Sequence, residues 1–178
     1  MAHPLQAFFG RIRLFSTLTA DELNDVLRAV QPVKLPAGQR LFRQGQAGDA
    51  AYVVESGAIE IFTEGPGGEV VVATLGPGEV IGELSLLDGS PRSASARAQG
   101  DTSLFRLDKQ EFDFLRQNLR PAAYKLMRSM AMTLCDRLRE TNEHIGDLLA
   151  PPPDAKAEAP PARAKGGWLS RVLFRGDR

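Results

Sequence analysis

The chain changes its hydrophobic period twice along its length. Between residues 4 and 30 apolar side chains recur at helical spacing, with Leu5, Phe8, Phe9 and Ile12 on one stripe. Thr19-Ala20-Asp21-Glu22 then has the form of a capping box ahead of Leu23, Val26 and Leu27. This predicts helices with a face to bury. From 31 to 107 the runs shorten and alternate, at roughly ten-residue intervals, as in all-β folds. Candidate strands fall at 33–35, 40–42, 51–55, 58–62, 70–74, 79–81, 93–98 and 103–107, punctuated by turn residues such as Pro36-Ala37-Gly38, Gln44-Gly45 and Gly76-Pro77-Gly78. Between Gly82 and Arg92 the residues Leu84, Leu86 and Leu87 do not alternate, which predicts a short helix and then a loop. After 107 the helical period returns. Phe112, Leu115 and Leu119 mark one segment. Past Pro121, the residues Met127, Ala131, Leu134, Leu138, Thr141, Ile145 and Leu148 follow at alternating intervals of four and three.

The expected fold is α+β: an eight-stranded β jelly-roll barrel flanked by N-terminal helices and a long C-terminal helix. One domain would fill 1–150, with helices at 4–30, the barrel at 31–107 and helices at 108–149. The stripe on helix 121–149 either pairs two copies as a homodimer or packs on the chain's own barrel. Residues 151–165 hold five prolines and five alanines, a composition that builds no core and reads as an extended linker. Residues 166–178 form a short apolar-basic tail, in which Trp168, Leu169, Val172 and Leu173 share one helical face and Arg171 and Arg175 another. Such an anchor suits a groove on a protein partner better than a lipid surface.

Composition narrows the function. Lys+Arg and Asp+Glu number 22 each among 178 residues, so no net field draws the chain to DNA or an anionic membrane. No long apolar run or signal peptide is visible, and a single cysteine, Cys135, offers no disulfide framework; the reading is cytoplasmic. His3 and His144 are far apart in sequence and neither neighbours a nucleophile, so metal, cofactor and catalytic sites are not expected and the chain reads as a non-enzyme.

The chemistry lies between residues 82 and 94. Gly82 lets the backbone approach a ligand closely and opens a helix whose first free N–H groups can donate to a phosphate. Arg92, at the start of the next strand, offers a planar fork for a phosphate, and the Ser93 hydroxyl adds a neutral donor. Glu83 would repel a phosphate but suits a ribose hydroxyl, and phosphate plus ribose means a nucleotide. Read singly, Gly82 is equally a turn residue and Glu83–Arg92 a surface ion pair; the combination and spacing favour the ligand.

These residues resemble the cyclic-nucleotide-binding domain family, of catabolite activator protein and cAMP-dependent kinase regulatory subunit type. The resemblance spans roughly residues 10–150. Its most specific part is Ile81-Gly82-Glu83-Leu84-Ser85-Leu86-Leu87 through Pro91-Arg92-Ser93-Ala94, similar to that family's phosphate-binding cassette. Phe42-Arg43-Gln44-Gly45, Gly48-Asp49 and Tyr52-Val53-Val54-Glu55-Ser56-Gly57 support it upstream. The resemblance implies that Glu83 accepts the ribose 2'-hydroxyl and that Arg92 and Ser93 hold the cyclic phosphate, with the Leu84 and Ser85 amides assisting. The stretch 136–143 resembles the central helix of the activator, which makes Thr141 and Asn142 base-contact candidates, one from each protomer of a dimer; a polar pair on a solvated face is the plainer reading. The ligand implied is cAMP in preference to cGMP. Transcription factors of this family continue into a helix-turn-helix module, whereas here Leu149 is followed closely by Pro151-Pro152-Pro153, so a stand-alone sensor that does not read DNA is expected. The alternative is a scaffolding module that keeps the fold and binds no ligand.

Overall fold

The computed structural model of the chain describes residues 4–149. The expected linker at 151–165, the tail at 166–178 with Trp168, and the stretch that bears on a DNA-reading module lie outside them.

The N-terminal region folds as two helices, α1 (Pro4–Gly10) and α2 (Ala20–Ala29). Residues 11–17 between them turn rather than continue the predicted helix, with the Ile12 and Phe15 amides donating to the Phe9 and Ile12 carbonyls at 3.0 and 2.9 Å. The turns swing Ile12, Leu14 and Phe15 into the core alongside Phe9. The capping box at α2 forms as read: the Glu22 amide donates to the Thr19 hydroxyl, and the Thr19 amide donates to the Glu22 carboxylate at 2.7 Å.

Eight strands follow, interrupted once by a short helix. They are β1 (Val30–Leu35), β2 (Arg40–Phe42), β3 (Ala50–Ser56), β4 (Ile59–Gly65), β5 (Gly68–Leu75) and β6 (Val80–Ile81), then α3 (Glu83–Asp88), β7 (Ser95–Ala98) and β8 (Thr102–Asp108). They form two four-stranded sheets, ordered β1-β8-β3-β6 and β2-β7-β4-β5, with every pairing antiparallel. Two antiparallel sheets of four strands agree with the expected eight-stranded jelly roll, in a form that does not close into a barrel. Among the described residues no ladder joins the sheets, because β2 and β6, three and two residues long, are too short to carry pairing around the corners. Two further helices complete the order, α4 (Lys109–Gln117) and α5 (Pro121–Leu149).

The first sheet is apolar on both faces, which explains its near-continuous apolar runs. Along β3, Ala50, Tyr52 and Val54 point between the sheets with Phe42, Ile59, Ile81 and Leu104. Ala51 and Val53 point the other way, onto Phe9, Val26, Phe105, Phe112, Leu126 and Met130 of the helical layer and β8. Helices, sheet and sheet therefore stack as three layers. The outer sheet ends in β5, where Val70, Val71 and Val72 are 60, 49 and 57% exposed.

Two compact units divide the chain, Met1–Leu138 and Arg139–Arg178. The first holds both sheets. Of the second, Arg139–Leu149 is the described part, all within α5. The face of α5 that enters the core carries Ala122, Ala123, Leu126 and Met130, with Met127 partly buried beside them. Further along the predicted stripe, Ala131, Leu138, Thr141 and Ile145 are exposed.

Candidate ligand-binding site

A cleft of about 560 Å³, its open mouth included, is lined by α3 and by strands of both sheets. Its walls are Gly82, Glu83, Leu84 and Ser85 on one side and Ser90, Pro91, Arg92, Ser93 and Ala94 on the other, over a floor of Phe42, Ile61, Leu75, Val80 and Ile81. Seven of the nine residues singled out in the sequence thus meet around one cleft. Thr141 and Asn142 belong to the second unit, exposed on α5, and are not among the lining residues.

Local structure explains the convergence. Gly82 takes φ 75°, ψ 16°, a left-handed conformation, as the residue before α3. A Cβ there would also run into the Arg92 guanidinium. The short helix ends at Gly89, also left-handed. The Asp88 carboxylate then accepts from the Ser90 amide and hydroxyl at 2.9 and 2.7 Å, bonds that hold its pKa below the ordinary value and close the turn that returns the chain to Arg92.

Arg92 does not begin a strand, as the sequence suggested; β7 starts at Ser95. Its backbone is tied to a turn instead of a ladder, its amide donating to Gln46 O at 2.8 Å and its carbonyl accepting from the Gly45 amide at 2.9 Å. Nor is it a surface cation. Its side chain is only 2% exposed and lies 4.3 Å from the Phe42 ring centroid. One terminal nitrogen donates to Gly82 O at 3.1 Å; the other donates to Ala50 O at 2.7 Å and to Asp49 Oδ1 at 3.3 Å. Burial lowers its pKa despite Tyr52 and Asp49 nearby. Among the described residues Nε of Arg92 is the buried side-chain polar atom without a hydrogen-bond partner. A buried cation with an unused donor, held mainly by neutral carbonyls at the wall of a cleft, is chemically suited to an anion.

Glu83 is buried as well, at 6% exposure, as is Ser85 at 2%. Ser85 packs against Gly48, where a Cβ would overlap the Ser85 side chain. The sequence reading did not assign the floor residues Ile61 and Leu75, nor the Asp49 contact. Alternation along 59–61 was the available signal for Ile61; Gly48-Asp49 stood out only as part of the family resemblance, which assigned Asp49 no contact.

The fold and this cleft define a cyclic-nucleotide-binding domain. The family described as the cyclic nucleotide-binding domain matches residues 32–118, and the chain belongs to it. The chain is 41% identical over 138 residues to the cyclic AMP receptor protein of Thermus thermophilus, covering 77% of this chain and 62% of that one. A cAMP-dependent protein kinase regulatory subunit of Blastocladiella emersonii is 38% identical over 109 residues, covering 61% of this chain and 27% of that one. The structure of a cyclic nucleotide-binding-like protein from Brucella abortus matches with 32% identity and a TM-score of 0.58, over 62% of this chain and 96% of that one. The chain therefore spans less than two thirds of the first two relatives. The first is a receptor protein and the second a regulatory subunit by name. Among the described residues no helix is long and apolar enough to cross a membrane.

Proposed function

We propose that the chain is a cAMP-responsive regulator and that Arg92 carries recognition. The supporting observation is its buried guanidinium, with Nε unpartnered, at the wall of the cleft. In this reading the cyclic phosphate takes Arg92, the Ser93 hydroxyl and the Leu84 and Ser85 amides, with Gly82 and Ala94 leaving room for backbone approach. Glu83 accepts the ribose 2'-hydroxyl. The base lies toward the apolar Ile61 and Leu75; Thr141 and Asn142 are the candidates for polar contact with a base, one from each protomer of a dimer. The preference for cAMP is supported by the name of the Thermus relative and by a 34% identical Toxoplasma gondii kinase regulatory domain whose structure is a co-crystal with cAMP, with a TM-score of 0.58 over 61% of this chain and 42% of that one.

Nucleotide binding would reposition α4 and α5, which requires the ligand to bind two helix arrangements with different affinity. Output passes to a protein partner, with residues 166–178 as the docking segment, 151–165 as its linker and 1–150 as the sensing domain. The exposed Leu138 and Ile145 on α5 support a homodimer along that helix. No cofactor or metal enters this scheme, and the compartment is the cytoplasm.

Titration calorimetry with cAMP and cGMP tests the reading directly. Binding of cAMP ahead of cGMP is expected, and replacing Arg92 with Ala should weaken it by about 30-fold to a few thousand-fold, as for loss of a buried charge partner at roughly 2–5 kcal/mol. Absence of heat with either nucleotide at high micromolar concentration rejects the sensor and favours the scaffolding module.

A further inference from the structure

Behind the cleft, Asp49 is shared between two guanidinium groups. Its Oδ1 takes the Arg92 terminal nitrogen at 3.3 Å, and its Oδ2 takes a terminal nitrogen of Arg106 at 2.9 Å. Arg106 lies on β8 directly opposite Tyr52 of β3 and does not line the cleft. It is fixed from two further sides: its Nε donates to Asp108 Oδ1 at 2.7 Å, and a terminal nitrogen donates to the Tyr52 hydroxyl at 3.2 Å. Asp108 is the residue before α4, and the Asp49 main-chain carbonyl accepts from the Lys109 amide at 2.7 Å. Asp49 itself is exposed, with 58% of its side chain accessible, so without Arg106 little would fix the orientation of its carboxylate.

We infer that Arg106 is a positioning residue for anion binding in the cleft, acting through Asp49 on Arg92. The inference rests on reading the cleft as the cyclic-nucleotide site. A carboxylate beside the phosphate-binding arginine opposes an incoming phosphate in two ways: it competes for the guanidinium, and its charge repels the anion. Arg106 offsets both. It occupies one oxygen, divides the Asp49 charge between two cations and turns the carboxylate toward β8. Arg92 is then held chiefly by the Gly82 and Ala50 carbonyls, neutral partners that a phosphate can outcompete. The Asp108 and Tyr52 contacts keep Arg106 in the geometry this requires.

The test measures cAMP affinity by calorimetry for the wild type, Arg106→Gln, Arg106→Lys, Asp49→Asn and the double variant, each with a melting curve. Arg106→Gln should weaken binding roughly threefold to tenfold, the scale of coupled neighbouring charges. Arg106→Lys, which keeps the charge, should stay within about twofold of wild type. In the Asp49→Asn background Arg106→Gln should have no further effect, because the carboxylate it manages is gone. An unchanged affinity in Arg106→Gln overturns the inference. So does a loss of equal size in the Asp49→Asn background, the signature of a purely structural arginine. Should Arg106→Gln not fold, Arg106→Met, with a chain of similar reach, is read against the same thresholds. If the wild type binds neither cAMP nor cGMP, the reading of the cleft fails; if the wild type binds and Arg92→Ala does not, only the Arg106 results bear on this inference.

Discussion

At the scale of single residues, the most demanding position is one with no side chain. Gly48 sits where a Cβ would overlap Cβ and Oγ of Ser85, a fully buried residue of α3, and would approach Ser90 O at 3.2 Å. Gly10, Gly65 and Gly67, by contrast, have open space around them. Gly48→Ala should therefore push α3 away from β3. The expected cost is about 1–3 kcal/mol, as for overpacking a core, with a parallel loss of nucleotide affinity. Chemical denaturation and calorimetry on the same variant check both, and Gly65→Ala is the control expected to change neither. The residue types at 82–94 were legible because their chemistry is local: a glycine, a carboxylate and a guanidinium at fixed spacing. How Arg92 is held was not. Its partners are carbonyls at 50 and 82 and a carboxylate at 49, and main-chain partners leave no mark on a sequence.

At the scale of elements, periodicity placed the strand ends to within three residues, and its errors have identifiable causes. The 4–30 stripe runs unbroken in sequence because residues 12–15 also bury apolar side chains, although they do so from turns. The strand expected from Ser93 starts later because the backbone around Arg92 bonds to the turn at 45–46. The capping box on α2 was readable, but its second task was not. The Glu22 carboxylate also accepts from the Lys125 ammonium at 2.7 Å, joining α2 to α5. That bond, with the Thr19 amide, holds the Glu22 pKa below its ordinary value of 4.5. A carboxyl depressed in the folded state contributes stability above its unfolded pKa, and the contribution is lost as pH falls through the folded value. The melting temperature of wild type should therefore exceed that of Glu22→Gln at neutral pH, and the gap should narrow below about pH 4.5. A gap independent of pH would show that the carboxylate charge has no part in the clamp.

At the scale of the whole molecule, the sequence conveyed eight strands and flanking helices but not how the strands divide. Closure into a barrel or separation into two sheets depends on strand lengths at the corners, where β2 and β6 stop after three and two residues. Division into sheets creates four edges, and three are blunted. β1 carries Pro32 and Lys34, and β2 and β6 are too short to template another strand. β5 is different. It runs eight residues without proline or lysine, and Val70 and Val71, opposite Thr63 and Phe62 on β4, face opposite sides of the sheet. Its unpaired backbone and three exposed valines make it the place where concentrated solutions of this chain should begin to associate. Val71→Lys should raise the concentration at which light scattering departs from that of a single species, with nucleotide affinity unchanged. An identical onset would acquit the edge. A strand that gives the cleft one lining residue, Leu75, would then set the shelf life of the protein.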